Sequence, residues 1–180
     1  MKHRILCAAV LAALAFAPAA CKRNRPVPVK ATEEGGAAGA SAVSTINMGD
    51  AKQEPQLLNG FYGIEANSWR WTAGKFSVNL RPPTGAAQSG ATLKFELSVP
   101  EVIIQKLQSV NLGASINGTE LAPETYAKDG AYEYKRDIPA SLLSGAAVRV
   151  DFRVDKTMVP GGADNRELAI VARTVGLEAK

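Results

Sequence analysis

Leu93-Lys94-Phe95-Glu96-Leu97-Ser98-Val99 alternates apolar and polar side chains without a break. Successive side chains on a strand point to opposite faces, so the stretch reads as a β-strand with one buried and one wet face. The same period recurs on either side of it. Phe76, Val78 and Leu80 alternate with Lys75, Ser77 and Asn79, and Val148, Val150, Phe152 and Val154 alternate with Arg149, Asp151 and Arg153. Val110, Leu112, Ala114 and Ile116 keep that phase too. Antiparallel sheets tolerate one solvated face, so the pattern predicts an antiparallel architecture.

The connections agree with this. Asn117-Gly118, and Asp129-Gly130 ahead of Tyr132 and Tyr134, predict tight hairpins because both dipeptides accept positive φ. Pro82-Pro83-Thr84-Gly85 and Pro160-Gly161-Gly162 mark longer loops. Residues 101–107 read as a helical turn or a strand, and 139–143 as a short helical turn. Leu168, Ile170 and Ala172 lie on one phase, Val175 and Leu177 on the other. A bulge around Arg173-Thr174, or burial on both faces, reconciles them. Seven to nine short strands predict an all-β fold, an antiparallel β-sandwich of jelly-roll type. The immunoglobulin alternative lacks its Cys–Trp–Cys arrangement.

Residues 57–180 form the predicted β-sandwich domain. These 124 residues hold both tryptophans, all four tyrosines and every phenylalanine except Phe16. That length suits one domain with a substantial core. Residues 21–56 read as a flexible tether, stiffened by Pro26 and Pro28 and then rich in Gly and Ala, with helix as the alternative over 51–56. Such a stretch has too little apolar surface to offset its chain entropy.

Residues 1–20 read as a bacterial signal peptide. Lys2, His3 and Arg4 form a basic start, Ile5 to Ala17 an apolar run, and Pro18-Ala19-Ala20 a small-residue end. The run has 13 residues, short of the ~20 a spanning helix needs. Cys21 follows, and the segment resembles a lipoprotein lipobox, in which that cysteine is diacylated after cleavage. Cleavage after Ala19 by an ordinary signal peptidase is the alternative, because the lipobox position held by Leu is Pro18 here. Cys7 leaves with the signal, so Cys21 has no intramolecular partner, and a free exposed thiol in an oxidising compartment favours lipidation. The expected location is the cell envelope, lipid-anchored on the periplasmic side or outer membrane, with a secreted or soluble periplasmic form as the alternative. Acyl chains would attach the protein to a membrane, and Lys22, Arg23, Arg25 and Lys30 sit beside the anchor point.

The chain carries 21 Lys+Arg against 17 Asp+Glu, and removing Lys2 and Arg4 with the signal leaves a charge of only +2. No basic stripe or aromatic-interleaved motif accompanies it, so nucleic acid is not an expected partner. His3, the sole histidine, also leaves with the signal. The exported sequence therefore has no imidazole for triad or metal work, no P-loop and no metal-spaced cluster, and no cofactor is expected. Catalysis would need two carboxylates facing one cleft, as in a glycosidase. The 13 acidic residues of the domain are scattered, which favours a non-catalytic protein.

Two motifs carry a family resemblance: Asn67-Ser68-Trp69-Arg70-Trp71-Thr72, and Asp164-Asn165-Arg166-Glu167-Leu168-Ala169-Ile170-Val171 with Val175-Gly176-Leu177-Glu178 after it. With the Asn117-Gly118 turn and Asp137-Ile138-Pro139 between them, residues 61–178 resemble a jelly-roll module of bacterial envelope lipoproteins. Modules of that kind also occur fused to cell-surface glycosyltransferases, and the layout is similar to carbohydrate-binding sandwiches. The resemblance implies a β-sandwich and a glycan or an envelope protein as partner.

The candidate ligand-binding residues are Trp69, Arg70, Trp71, Asp164 and Arg166. On a strand Trp69 and Trp71 share one face, with Arg70 on the other. Two indoles there either stack on sugar C–H faces or fill the core. Asp164 and Arg166 either meet a ligand at the mouth of the 155–165 loop or clamp the last strand through Arg70 or Glu65. Asn117-Gly118-Thr119 matches a glycosylation sequon, which the hairpin turn explains better.

Overall fold

In the computed structural model, which describes residues 42–161 and 164–180, the alternating segments form antiparallel strands. They are β1 (Thr45–Asn47), β2 (Leu57–Glu65), β3 (Trp69–Leu80), β4 (Ala91–Val99), β5 (Val110–Ile116), β6 (Thr119–Tyr126), β7 (Gly130–Ile138), β8 (Val148–Val154) and β9 (Val171–Ala179). Two short helices interrupt them, α1 (Ala86–Ser89) and α2 (Glu101–Leu107). Neither is long and apolar enough to cross a membrane.

The strand order is β6-β5-β8-β3-β9-β4-β7, with β2 beside β3 and β1 beside β9. β3 changes partner along its length: Arg70 and Trp71 pair with β9, whereas Lys75 to Leu80 pair with β8. It thereby joins a β2-β3-β8-β5-β6 layer to a β1-β9-β4-β7 layer, as corner strands do in sandwiches. The inner faces meet at three aromatic rings. Phe76 and Phe152 stack at 5.0 Å, and Phe95 from the opposite layer lies 5.8 and 4.9 Å from them. Val78, Leu80, Leu93, Leu97, Leu112, Ile116 and Val150 complete the buried set around them. The fold is the antiparallel β-sandwich that the alternation predicts.

Several connections follow their local chemistry. Asn117 (φ 47°) and Gly118 (φ 84°) close the β5–β6 hairpin. Opposite β9, Glu96 pairs with Thr174 and Leu97 with Ala172, so Arg173 is the extra residue of a bulge. That bulge lets Ala172, Val175 and Leu177 all be buried. Residues 101–107 take the helical alternative, with Ile103 buried.

Two expectations need correction. Asp129-Gly130 closes no hairpin, because β6 pairs with β5 and β7 with β4, at opposite ends of the strand order. An unbroken ladder from Ala91–Ile138 to Val99–Gly130 holds β7 on β4 and buries Tyr134 and Ile138. β6 carries Pro123 and a register shift, which suit a free edge better than a central strand. The turn dipeptide sets the bend, and the long ladder chooses the partner.

The second correction is the domain boundary. Residues 42–56 belong to the sandwich rather than to a tether: β1 pairs with β9, and Ile46 and Met48 are fully buried. Ala51–Gln56 forms a 3-10 turn whose Asp50 cap accepts from the Lys52 N–H. Gln56 fastens this segment, accepting from the Val43 N–H at 2.9 Å and donating to the Asn79 carbonyl at 2.7 Å. Ile46 and Met48 are too short an alternation for a periodicity to register. The signal peptide, Cys21 and the rest of the tether lie outside the described residues.

Candidate functional site

The β2–β3 hairpin builds the first half of the site. Ala66 and Asn67 both have positive φ (48° and 52°), and the Ser68 N–H bonds the Glu65 carbonyl at 3.1 Å, the pattern of a primed hairpin turn. This register sets Glu65 opposite Trp69 and Ile64 opposite Arg70. Trp69 and Trp71 then share a face, with ring centroids 6.2 Å apart and planes at 81°. Both indoles are half-buried, and Trp71 packs against the edge of the core.

Arg70 takes the opposite face and is turned inside, with 3% of its surface exposed. Its Nε donates to the Met48 carbonyl at 3.1 Å and its Nη1 to the Tyr62 carbonyl at 3.0 Å. Nη2 lies 3.5 Å from Glu54. Its donors are turned to the protein, so Arg70 is set apart from the other candidates.

Asp164 and Arg166 supply the second half. The Arg166 backbone N–H donates to Asp164 Oδ1 at 2.9 Å, and its Nε and Nη2 reach the same carboxylate at 3.0 and 2.8 Å. Nη1 donates to Glu65 at 2.8 Å, and the guanidinium lies 5.2 Å above the Tyr62 ring. Tyr62 in turn donates its hydroxyl to the Glu167 carbonyl at 2.8 Å. The Arg166 side-chain and backbone hydrogen bonds hold the Asp164 carboxyl down to about 2. Those same bonds, with Glu65, push the Arg166 guanidinium up from its ordinary value.

Glu65 is the cross-strand neighbour of Trp69, so this ion-pair cluster adjoins the indoles. Trp69, Trp71, Asp164 and Arg166 are brought to one end of the β2–β3 hairpin. Tyr62 and Glu65 join them. Of the two clamp partners the sequence offered for Arg166, the structure uses Glu65.

A second constellation was not picked out from sequence. Lys75, Ser115, Glu120, Arg149, Asp151 and Arg153 line a groove of about 330 Å³ across β3, β8 and β5. Lys75, Arg149, Asp151 and Arg153 appear in the sequence as polar residues on wet strand faces, but the strand order needed to join them does not. The groove contains two carboxylates, each engaged by an arginine: Asp151 by Arg149 at 2.7 Å and Glu120 by Arg153 at 3.2 Å. Among the described residues, no group of three or more His, Cys, Asp or Glu is placed to hold a metal ion.

No family model matches the sequence. No curated protein matches it either. A solved structure described as "CBM4 structure and function" is 11% identical over 69% of this chain and 77% of that one, with a TM-score of 0.34. The strand pairing itself defines the fold.

Proposed function

We propose that this protein is a non-catalytic module of the bacterial envelope, anchored by lipid on Cys21, that engages glycans through the patch around Trp69 and Trp71. The supporting observation is the indole pair, half-exposed beside the Arg166 ion pairs with Asp164 and Glu65. Aromatic faces bind sugar C–H surfaces, and carboxylate oxygens accept hydroxyl hydrogens. The 81° angle between the rings limits the platform. Two rings at right angles cannot both lie flat under one extended saccharide, so one indole stacks and the other braces it.

The test is indole fluorescence of the exported protein. At least one tryptophan is expected to be quenched by acrylamide and protected by a polysaccharide from a glycan panel, and Trp69→Ala removes the protected fraction. A second reading, an interaction lipoprotein without a sugar site, draws support from Trp71, which packs on the core. Two shielded indoles with no response across the panel would favour that reading. The anchor is tested by mass spectrometry of the native N-terminus: acylated Cys21 supports it, and a free chain starting at Ala20 overturns it.

A further inference from the structure

We propose a second ligand site, for an anionic saccharide, in the groove across β3, β8 and β5. Lys75 and Arg153 are direct cross-strand partners in the β3–β8 ladder and share its wet face. Like charges so placed oppose the pairing. The protein does little to relieve them. Arg153 meets Glu120 at 3.2 Å in an exposed pair of small worth, and Lys75 makes no ion pair among the described residues. Arg149, two residues from Asp151 and bound to it at 2.7 Å, adds a third cation to the lining. Three cations face two carboxylates, an arrangement that an incoming anion would balance.

The shape fits this role. Gly113 lies opposite Arg153, and a Cβ there would stand 3.0 Å from the Arg153 Nε, so the missing side chain leaves space for the guanidinium over β5. The volume, about 330 Å³, is at the small end of ligand sites, which run from roughly 300 to 1,000 Å³. Asn59 and Ser115 add neutral hydrogen-bonding groups to the walls. Densely clustered anionic groups would be repelled by Glu120 and Asp151, whereas a sugar whose charges are spaced at one carboxylate or phosphate per ring meets Lys75 and Arg153 and offers hydroxyls to the acids. This groove is distinct from the indole patch: Lys75 lies four residues beyond Trp71, about 13 Å of strand.

The experiment is calorimetric titration of the full-length protein at low salt with trigalacturonate, glucose 6-phosphate and neutral maltotriose. Binding of either anionic probe in preference to maltotriose supports the site and tells carboxylate from phosphate. Lys75→Gln should weaken the anionic probe by about tenfold, the loss of one charge-assisted contact. The same substitution should leave the melting temperature unchanged or raised, because it removes the Lys75–Arg153 repulsion. Lys135→Gln, on β7, controls for general charge and should leave the affinity unchanged. Equal binding of maltotriose, no binding of either anion, or an unchanged affinity in Lys75→Gln overturns the proposal.

Discussion

Arg166 donates to Glu65 at 2.8 Å across 101 residues of chain, and this contact ties the segment ahead of β9 to the β2–β3 hairpin. The same guanidinium holds Asp164, so it braces the loop against the hairpin. Arg166→Ala is expected to cost about 1 kcal/mol, the scale of a partly exposed ion-pair network. Urea unfolding measures it. Amide exchange should quicken over 166–170 while the β4–β7 ladder is unaffected.

Asp164 makes part of that stability depend on acid. Its carboxyl titrates near 2 in the folded protein because Arg166 bonds the charged form, against about 3.9 in an unfolded chain. A depressed folded value stabilises the protein above the unfolded value, and that contribution is lost as the pH falls from about 4 toward 2. Carboxyl carbon shifts should give a midpoint near 2 for Asp164. Asp164→Asn should flatten the stability profile within that window.

Arg70 is expected to matter to folding far more than its indole neighbours. Arg70→Ala leaves the Met48 and Tyr62 carbonyls without their donor and opens space beneath β3. The expected loss is about 3 kcal/mol, in the range for breaking a buried charged hydrogen-bond set. Denaturation of Arg70→Ala beside Trp69→Ala checks this: a smaller loss for Arg70→Ala would contradict the arrangement.

Gly60 sits at φ 73° in the bulged part of β2, and a Cβ there would fall 2.0 Å from the Lys75 carbonyl oxygen and 2.7 Å from Phe76 Cα. Gly60→Ala must therefore displace β2 from β3, with an expected loss of more than about 3 kcal/mol. Gly63→Ala is the matched control, because nothing stands within 4 Å of its Cβ position. Melting temperatures of the two variants should differ clearly.

Ser77 is 1% exposed, and its hydroxyl has no hydrogen-bond partner among the described residues. Removing an unpaired buried polar atom is neutral or favourable, so Ser77→Ala should change stability by between 0 and about +1 kcal/mol. A destabilised variant in thermal melts would show that the hydroxyl has a partner in solution.

Local pattern alone determined the strands and several turns. The alternation through Phe95, Phe152 and Val78 marked which side chains are buried, because a strand's period of two needs no knowledge of its neighbours. Asn117-Gly118 marked its hairpin, and the phase break around Arg173 marked the bulge. The separation of Trp69 and Trp71 from Arg70 followed from the same period. What stayed hidden depends on partners distant in the chain. Ile46 and Met48 join the core only because β9 offers β1 an edge, and Asp129-Gly130 bends the chain between layers because β4 holds β7. The inward turn of Arg70 toward Met48, the reach of Arg166 to Glu65, and the meeting of Lys75 with Arg153 are all cross-strand facts. Alternation tells which residues share a face of one strand; only the tertiary pairing decides which strands lie side by side, and thus which charges and rings meet.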